Sequence, residues 1–211
     1  MNTLYLKDVS KSFRENVVLE NINLKLNQGE IVGVVGENGC GKSVLMKLMV
    51  GLMKPTEGEV YYNQTLLGKD IDFLPSVGAI INKPGFFDEF DGLTNLKMIR
   101  DIKNIISDKE VLDYFHKVGL NDLHKHVKDY STGMKQRLAI AQAIMEDPEV
   151  LILDEFSSGL DEEGLRMIYG ILREEKAKGK IIFISSHIKE DISSLCDRTY
   201  RLRNCNLESL I

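Results

Sequence analysis

Gly36-Glu37-Asn38-Gly39-Cys40-Gly41-Lys42-Ser43 directly follows the apolar, β-branched run Ile31-Val32-Gly33-Val34-Val35 and precedes a helical run, Val44 to Val50. Strand, glycine loop, lysine and hydroxyl in that order wrap a backbone around a triphosphate. Glycines let successive N–H groups turn toward one anion with no Cβ in the way. The helix beginning near Lys42 adds its positive end, and Lys42 adds a mobile charge. Ser43 offers a hydroxyl to a magnesium ion. Gly36, Asn38, Gly39, Cys40, Gly41, Lys42 and Ser43 are therefore the expected nucleotide contacts. A glycine-rich turn that merely joins two elements would leave the lysine and serine at those spacings unexplained.

Outward from this loop the pattern is α/β. Leu4, Leu6 and Val9, then Val17 to Leu19 and the alternating Ile22, Leu24 and Leu26, predict short antiparallel strands ahead of it. Pro55 and Gly58 mark a turn, Glu59 to Tyr62 reads as an edge strand, and Val77 to Ile81 as a further strand. From about Leu93 to Glu146 the period becomes helical, with one stripe at Leu96, Ile99, Ile102 and Ile106 and another at Val111, Leu112, Phe115 and Val118. Strands return at Val150 to Leu153 and Ile181 to Ser185, separated by a helix from about Glu162 to Lys178. That βαβ alternation implies a parallel sheet covered on both faces. One domain over residues 1–211 is expected, with a helical lobe at about 84–146 inserted in the core.

Composition narrows the function. A formal charge of −5, from 27 basic and 32 acidic residues, provides no broad positive surface for nucleic acid. Cys40, Cys196 and Cys205 form an odd set without metal-ligand spacing, which points to free thiols and a reducing, cytoplasmic compartment. The segment Met1 to Ser10 carries Lys7 and Asp8 within its apolar stretch, unlike a signal peptide, and no apolar run approaches the ~20 residues of a membrane helix. A membrane role would have to come through a partner.

Val150-Leu151-Ile152-Leu153 ends abruptly in Asp154 and Glu155. In open α/β sheets ligands collect at the carboxyl ends of strands, so these acids are expected beside the phosphate loop. Asp154 would hold magnesium with Ser43, and Glu155 would polarise the attacking water. The competing reading makes them solvated acids opening the next helix. Ser185-Ser186-His187 follows the last buried strand to the same edge, which favours His187 as a donor near the γ-phosphate over a merely structural histidine. In Tyr130-Ser131-Thr132-Gly133-Met134-Lys135-Gln136-Arg137, Ser131 or Thr132 alone would be a helix cap.

Taken together, these motifs resemble the ATP-binding subunits of ABC transporters over nearly the whole chain, and in family order. The resemblance implies a P-loop NTPase with a mostly parallel core sheet, an N-terminal antiparallel β subdomain and an inserted helical subdomain. It also implies ATP and Mg2+ as cofactors, and ATP hydrolysis coupled to transport. Phe13 looks like the aromatic that stacks on adenine, Ser131 to Met134 like the signature sequence, and Ser158-Gly159-Leu160-Asp161 like the loop between subunits. In that family two cassettes close head to tail, so Ser131 and Gly133 of one chain complete the γ-phosphate site of the other, with Asp161 between them. Partners are then a second ATP-binding subunit and integral membrane permease subunits, which place the chain on the inner face of the membrane.

Four positions depart from the pattern. Asn82 stands where a longer glutamine usually reaches toward magnesium and water, Thr132 replaces a glycine, Met134 a glutamine and Phe156 a proline. The variant signature and Pro84-Gly85-Phe86-Phe87 look most like exporters of the bacitracin and lantibiotic type, and Phe86 and Phe87 stand either in the core or in a groove for a membrane subunit. A GTP switch is disfavoured because Asn82-Lys83-Pro84 is followed by Gly85 and not by an Asp base reader. The stretch between phosphate loop and signature is too short for the coiled coil of chromosome-type cassettes, and a single motif set excludes the tandem translation factors. A nucleotide-dependent regulator with little turnover remains the alternative, kept alive by Asn82 and Thr132.

Overall fold

Alternating burial builds the first sheet. A computed structural model of the chain describes residues 2–82 and 84–210, so Met1, Ile211 and Lys83 of the Asn82-Lys83-Pro84 run lie outside it. Strands β1 (Thr3–Phe13) and β2 (Asn16–Asn27) pair antiparallel with Leu4 opposite Leu26 and Leu6 opposite Leu24, all four fully or almost fully buried. They are longer than the short strands expected from the pattern. The other side of β1 holds β4 (Glu57–Tyr62), which in turn pairs with the two-residue β5 (Thr65–Leu66), giving the order β2-β1-β4-β5. The expected edge strand Glu59 to Tyr62 is thus an inner strand. Gly58 is part of it and not of a turn: its φ is +82°, and a Cβ there would stand 2.3 Å from the Asp8 carbonyl oxygen. The β1–β4 register shifts between Lys7 and Ser10 at this point, the signature of a bulge that only glycine fits.

The second sheet carries the chemistry. Its order is β10 (Asn206–Ser209), β9 (Arg198–Arg203), β3 (Glu30–Val35), β8 (Ile181–Ser185), β7 (Val150–Leu153), β6 (Val77–Ile80). All neighbours are parallel except β10 with β9. Every residue of β7 and β8 is buried, as strands covered on both faces require. Val32, Val34, Val150, Ile152, Ile181 and Phe183 share one core with the first sheet and helix α1 (Lys42–Val50). Leu151, Leu153, Ile182 and Ile184 point into the opposite core.

That second core is completed by helices α2 (Gly92–Lys103), α3 (Asp108–Lys117), α4 (Thr132–Ile144) and α5 (Glu162–Ala177). Each has a side-chain N-cap: Asp91 accepts from Thr94 N, Ser107 forms a capping box with Glu110, Ser131 accepts from Met134 N, and Asp161 from Gly164 N. Leu96, Val111, Phe115 and Val118 are fully buried in the same cluster as Leu138 and Ile140, so the lobe is packed onto the sheet through α4. The predicted stripe through Ile102 breaks down. Asn104, at φ +52°, ends α2 at Lys103, which leaves Ile102 77% exposed and Ile106 beyond the helix. Helix α6 (Lys189–Leu195) and strands β5 and β10 had no counterpart in the sequence reading.

Candidate nucleotide site at the carboxyl edge of the sheet

Parallel register brings three strand ends to one edge. Val34 lies opposite Ser185 and Leu153 opposite Ile184, so the chain leaves β3 into the glycine loop, β7 into Asp154-Glu155 and β8 into Ser186-His187 side by side. Gly41 sits at the N-cap of α1 with φ +112°, and Gly39 has φ +80°. At Gly41 a Cβ would also approach Val18 Cγ1 to 3.0 Å, which seals the glycine requirement at the helix start.

Lys42 is buried, and its Nζ donates to the carbonyls of Gly36, at 2.8 Å, and Glu37, at 3.1 Å. The ammonium therefore lies across the mouth of its own loop. Ser43 Oγ donates to Asp154 Oδ2 at 2.5 Å. The other oxygen of Asp154 accepts from Ser185 Oγ, and the Asp154 N–H is fixed to the Ile80 carbonyl at 2.7 Å. Ser185, fully buried, also accepts from the Glu155 N–H at 3.0 Å, so one hydroxyl orients both acids. The sequence reading missed that role. A serine closing an otherwise apolar strand was its only signal.

Glu155 has φ +49°, a conformation unusual outside glycine, asparagine and aspartate. The turn aims its carboxylate away from that of Asp154 and toward His187, whose Nδ1 is 2.5 Å from Glu155 Oε2. Phe156 is fully buried, tilted against Tyr169 with ring centroids 6.4 Å apart. It stiffens the turn from the core side.

A cleft of about 940 Å³ opens over these groups, lined by Gly36, Asn38, Asn82, Asp154, Glu155 and His187 among others. Asn82, at φ +63°, points its N–H toward Asp154 Oδ2 at 3.5 Å. Thr132, Lys135 and Gln136 of the signature segment also reach the cleft. Gly39, Cys40, Gly41, Lys42 and Ser43 of the phosphate loop are not among its lining residues, and four further expected contacts also stand outside it. Phe13 ends β1 with its ring 44% exposed and Lys11 Nζ 5.2 Å from the centroid. Ser131 is exposed at the N-cap of α4, and Gly133 packs so closely on the next loop that a Cβ would lie 2.6 Å from the Gly159 carbonyl oxygen. Asp161 caps α5 and pairs with Arg137 at 2.9 Å. The Gly164 N–H, and then Arg137, hold its carboxyl below the usual range.

The family model described as ABC transporter matches residues 19–158, two-thirds of the chain and most of this constellation. The chain belongs to the ABC transporter family. This ABC cassette is 42% identical over 203 residues to the ABC transporter ATP-binding protein YybJ of Bacillus subtilis (strain 168), covering 96% of the chain and 93% of that protein. It is 40% identical over 194 residues to the bacitracin transport ATP-binding protein BcrA of Enterococcus faecalis, covering 90% of the chain and 63% of the relative. With the lantibiotic transport ATP-binding protein SrtF of Streptococcus pyogenes it shares 33% identity over 195 residues, 92% of the chain and 84% of the relative. Among solved structures, one titled as the ATP binding subunit of an ABC transporter superposes with a TM-score of 0.86 at 28% identity, covering 97% of this chain and 87% of that one. The dimeric bacterial cassette MJ0796 matches with a TM-score of 0.87 at 23% identity, covering 97% and 96%, and bears out the fold. The antiparallel sheet, the mixed mostly parallel sheet and the inserted helices are those of an ABC ATPase.

Proposed function

We propose that the chain binds Mg-ATP in this cleft and hydrolyses it as a head-to-tail dimer, powering export through separate membrane subunits. The observation that carries this reading is the convergence at one sheet edge of Lys42, the Ser43–Asp154 pair and the Glu155–His187 pair. Lys42 exchanges its loop carbonyls for phosphate oxygens when ATP enters, a charge-assisted contact. The donor set fits magnesium: one hydroxyl and one carboxylate 2.5 Å apart. Magnesium takes one or two carboxylates, phosphate oxygens and waters in preference to an all-protein cage. When bound it neutralises charge on the β- and γ-phosphates.

Glu155 accepts the proton of the attacking water, and His187, bonded through Nδ1, fixes the carboxylate and presents its other nitrogen to the γ-phosphate side. Phe13 offers its open ring face to adenine. Asn82 reaches the water through a shorter amide than glutamine would provide. Ser131 and Gly133, at the exposed start of α4, present hydroxyl, backbone N–H and helix N-terminus to the nucleotide of a second copy, with Asp161 beside them. The transport path is assigned to separate membrane subunits; among the described residues no helix is long and apolar enough to cross a membrane. Phe87, 59% exposed and held through its backbone by the buried Asn95, is a candidate contact for them. BcrA and SrtF are named for bacitracin and lantibiotic transport, which supports a cargo of that class.

The dimer reading is tested by the initial rate of phosphate release from Mg-ATP over a range of protein concentrations. A rise steeper than first order is expected. A specific rate independent of concentration down to the lowest detectable protein would refute shared sites.

A further inference from the structure

Behind the Glu155–His187 pair lies a second acid that this mechanism does not use. Asp191, in the first half of α6, is fully buried. Its Oδ2 accepts from Ser157 Oγ at 2.5 Å and from Ser186 Oγ, and its Oδ1 accepts from Tyr169 OH. Ser186 Oγ in turn accepts from the Ile188 N–H at 2.9 Å. Burying a carboxylate is costly unless its lone pairs are satisfied, and three hydroxyls satisfy this one.

The placement of the donors in the chain is informative. Ser157 follows Glu155 by two residues, and Ser186 immediately precedes His187. The contacts close a ring: Glu155 through Phe156 to Ser157, across Asp191 to Ser186, on to His187, and back by the 2.5 Å His187–Glu155 bond. Tyr169 fastens that ring to α5, whose first turn begins at the Asp161 cap. Ser185, which accepts from the Glu155 N–H and donates to Asp154, is a second tie between the end of β8 and the loop after β7.

We propose that Asp191 is a positioning residue that sets the spacing of Glu155 and His187 by clamping Ser157 and Ser186 on one carboxylate oxygen. The proposal rests on the hydrolytic role of Glu155. Asp191 touches neither nucleotide nor phosphate; it decides whether base and histidine face the same water. Misplacing a reacting group by about 1 Å costs on the order of 10²-fold.

The test compares Asp191→Leu, which fills the space without accepting a bond, with Asp191→Asn, whose amide oxygen still accepts from both serines. Steady-state hydrolysis is expected to show kcat lowered roughly ten- to a hundredfold in Asp191→Leu with KM for ATP within about twofold of wild type, and most of kcat recovered in Asp191→Asn. Wild-type kcat in Asp191→Leu, or equal losses in the two variants, would overturn the proposal. If Asp191→Leu does not fold, the double variant Ser157→Ala/Ser186→Ala removes the same two bonds and is judged by the same kcat and KM criteria. Amide exchange supplies an arm independent of turnover: residues 155–158 and 185–188 should exchange faster together in the variant, and unchanged exchange would overturn the clamp. An inactive wild type with this paired exchange would refute the hydrolytic reading and leave the clamp supported.

Discussion

Ser43 and Asp154 are 111 residues apart in the chain and joined by a 2.5 Å hydrogen bond, hydroxyl to carboxylate, between the first turn of α1 and the end of β7. In the proposed function these two oxygens would hold the magnesium ion. Asp154→Asn removes the anionic ligand and leaves the shape. ATP affinity without magnesium should stay near wild type, while the gain on adding magnesium is lost. Titration calorimetry with and without the ion checks this, and an undiminished magnesium gain would take Asp154 out of the site.

Lys42→Ala acts on binding directly. The ammonium already lies over the loop on two carbonyls, and its loss removes a charge-assisted contact worth roughly 1.5 to 3 kcal/mol. Affinity for ATP should fall about ten- to a hundredfold, as read by fluorescence titration with a nucleotide analogue.

Two glycines give opposite stability effects. A Cβ on Gly78 in β6 would lie 1.8 Å from the Ala143 carbonyl oxygen of α4, a backbone atom that cannot swing aside. Gly78→Ala should therefore cost about 1 to 3 kcal/mol or prevent folding. Gly170 in α5 meets nothing within 4 Å, and Gly170→Ala should stabilise by about 0.5 to 1 kcal/mol through helix propensity. Denaturant midpoints at constant m-value decide both.

Burial, then the neighbouring Asp197 and Asp191, pushes the Cys196 thiol up to about 12. Because the thiolate is the reactive form, Cys196 should resist iodoacetamide at pH 8 in the folded chain and label promptly in urea. The native state keeps this proton where the unfolded chain, with a thiol near 9, releases it. This contribution to stability is complete below about pH 9 and is lost as the pH rises toward 12. Labelling read by peptide mass spectrometry checks the first claim and alkaline unfolding of Cys196→Ala the second.

The phosphate loop was legible because its glycine spacing mirrors positive φ angles, +80° at Gly39 and +112° at Gly41, that other residues rarely adopt. Asp154, Glu155 and His187 were legible because apolar strands ended in them. Ser157, Ser185 and Asp191 were not: a buried hydroxyl network has no period, and the seven residues of α6 are too few to show one. Gly58 read as a turn because its positive φ serves a bulge inside β4, and Ile102 read as core because one left-handed residue, Asn104, stops α2 before the stripe closes. These misreadings come from tertiary pairing and a helix terminus, both invisible to local periodicity.

The central claim is that Glu155, turned toward His187 at the end of β7, is the base for ATP hydrolysis. Glu155→Gln, assayed for Mg-ATP turnover with mass followed by light scattering, tests it most directly. The expected result is retained ATP affinity, turnover reduced at least a hundredfold and a doubled mass in the presence of ATP; turnover equal to wild type would contradict the account.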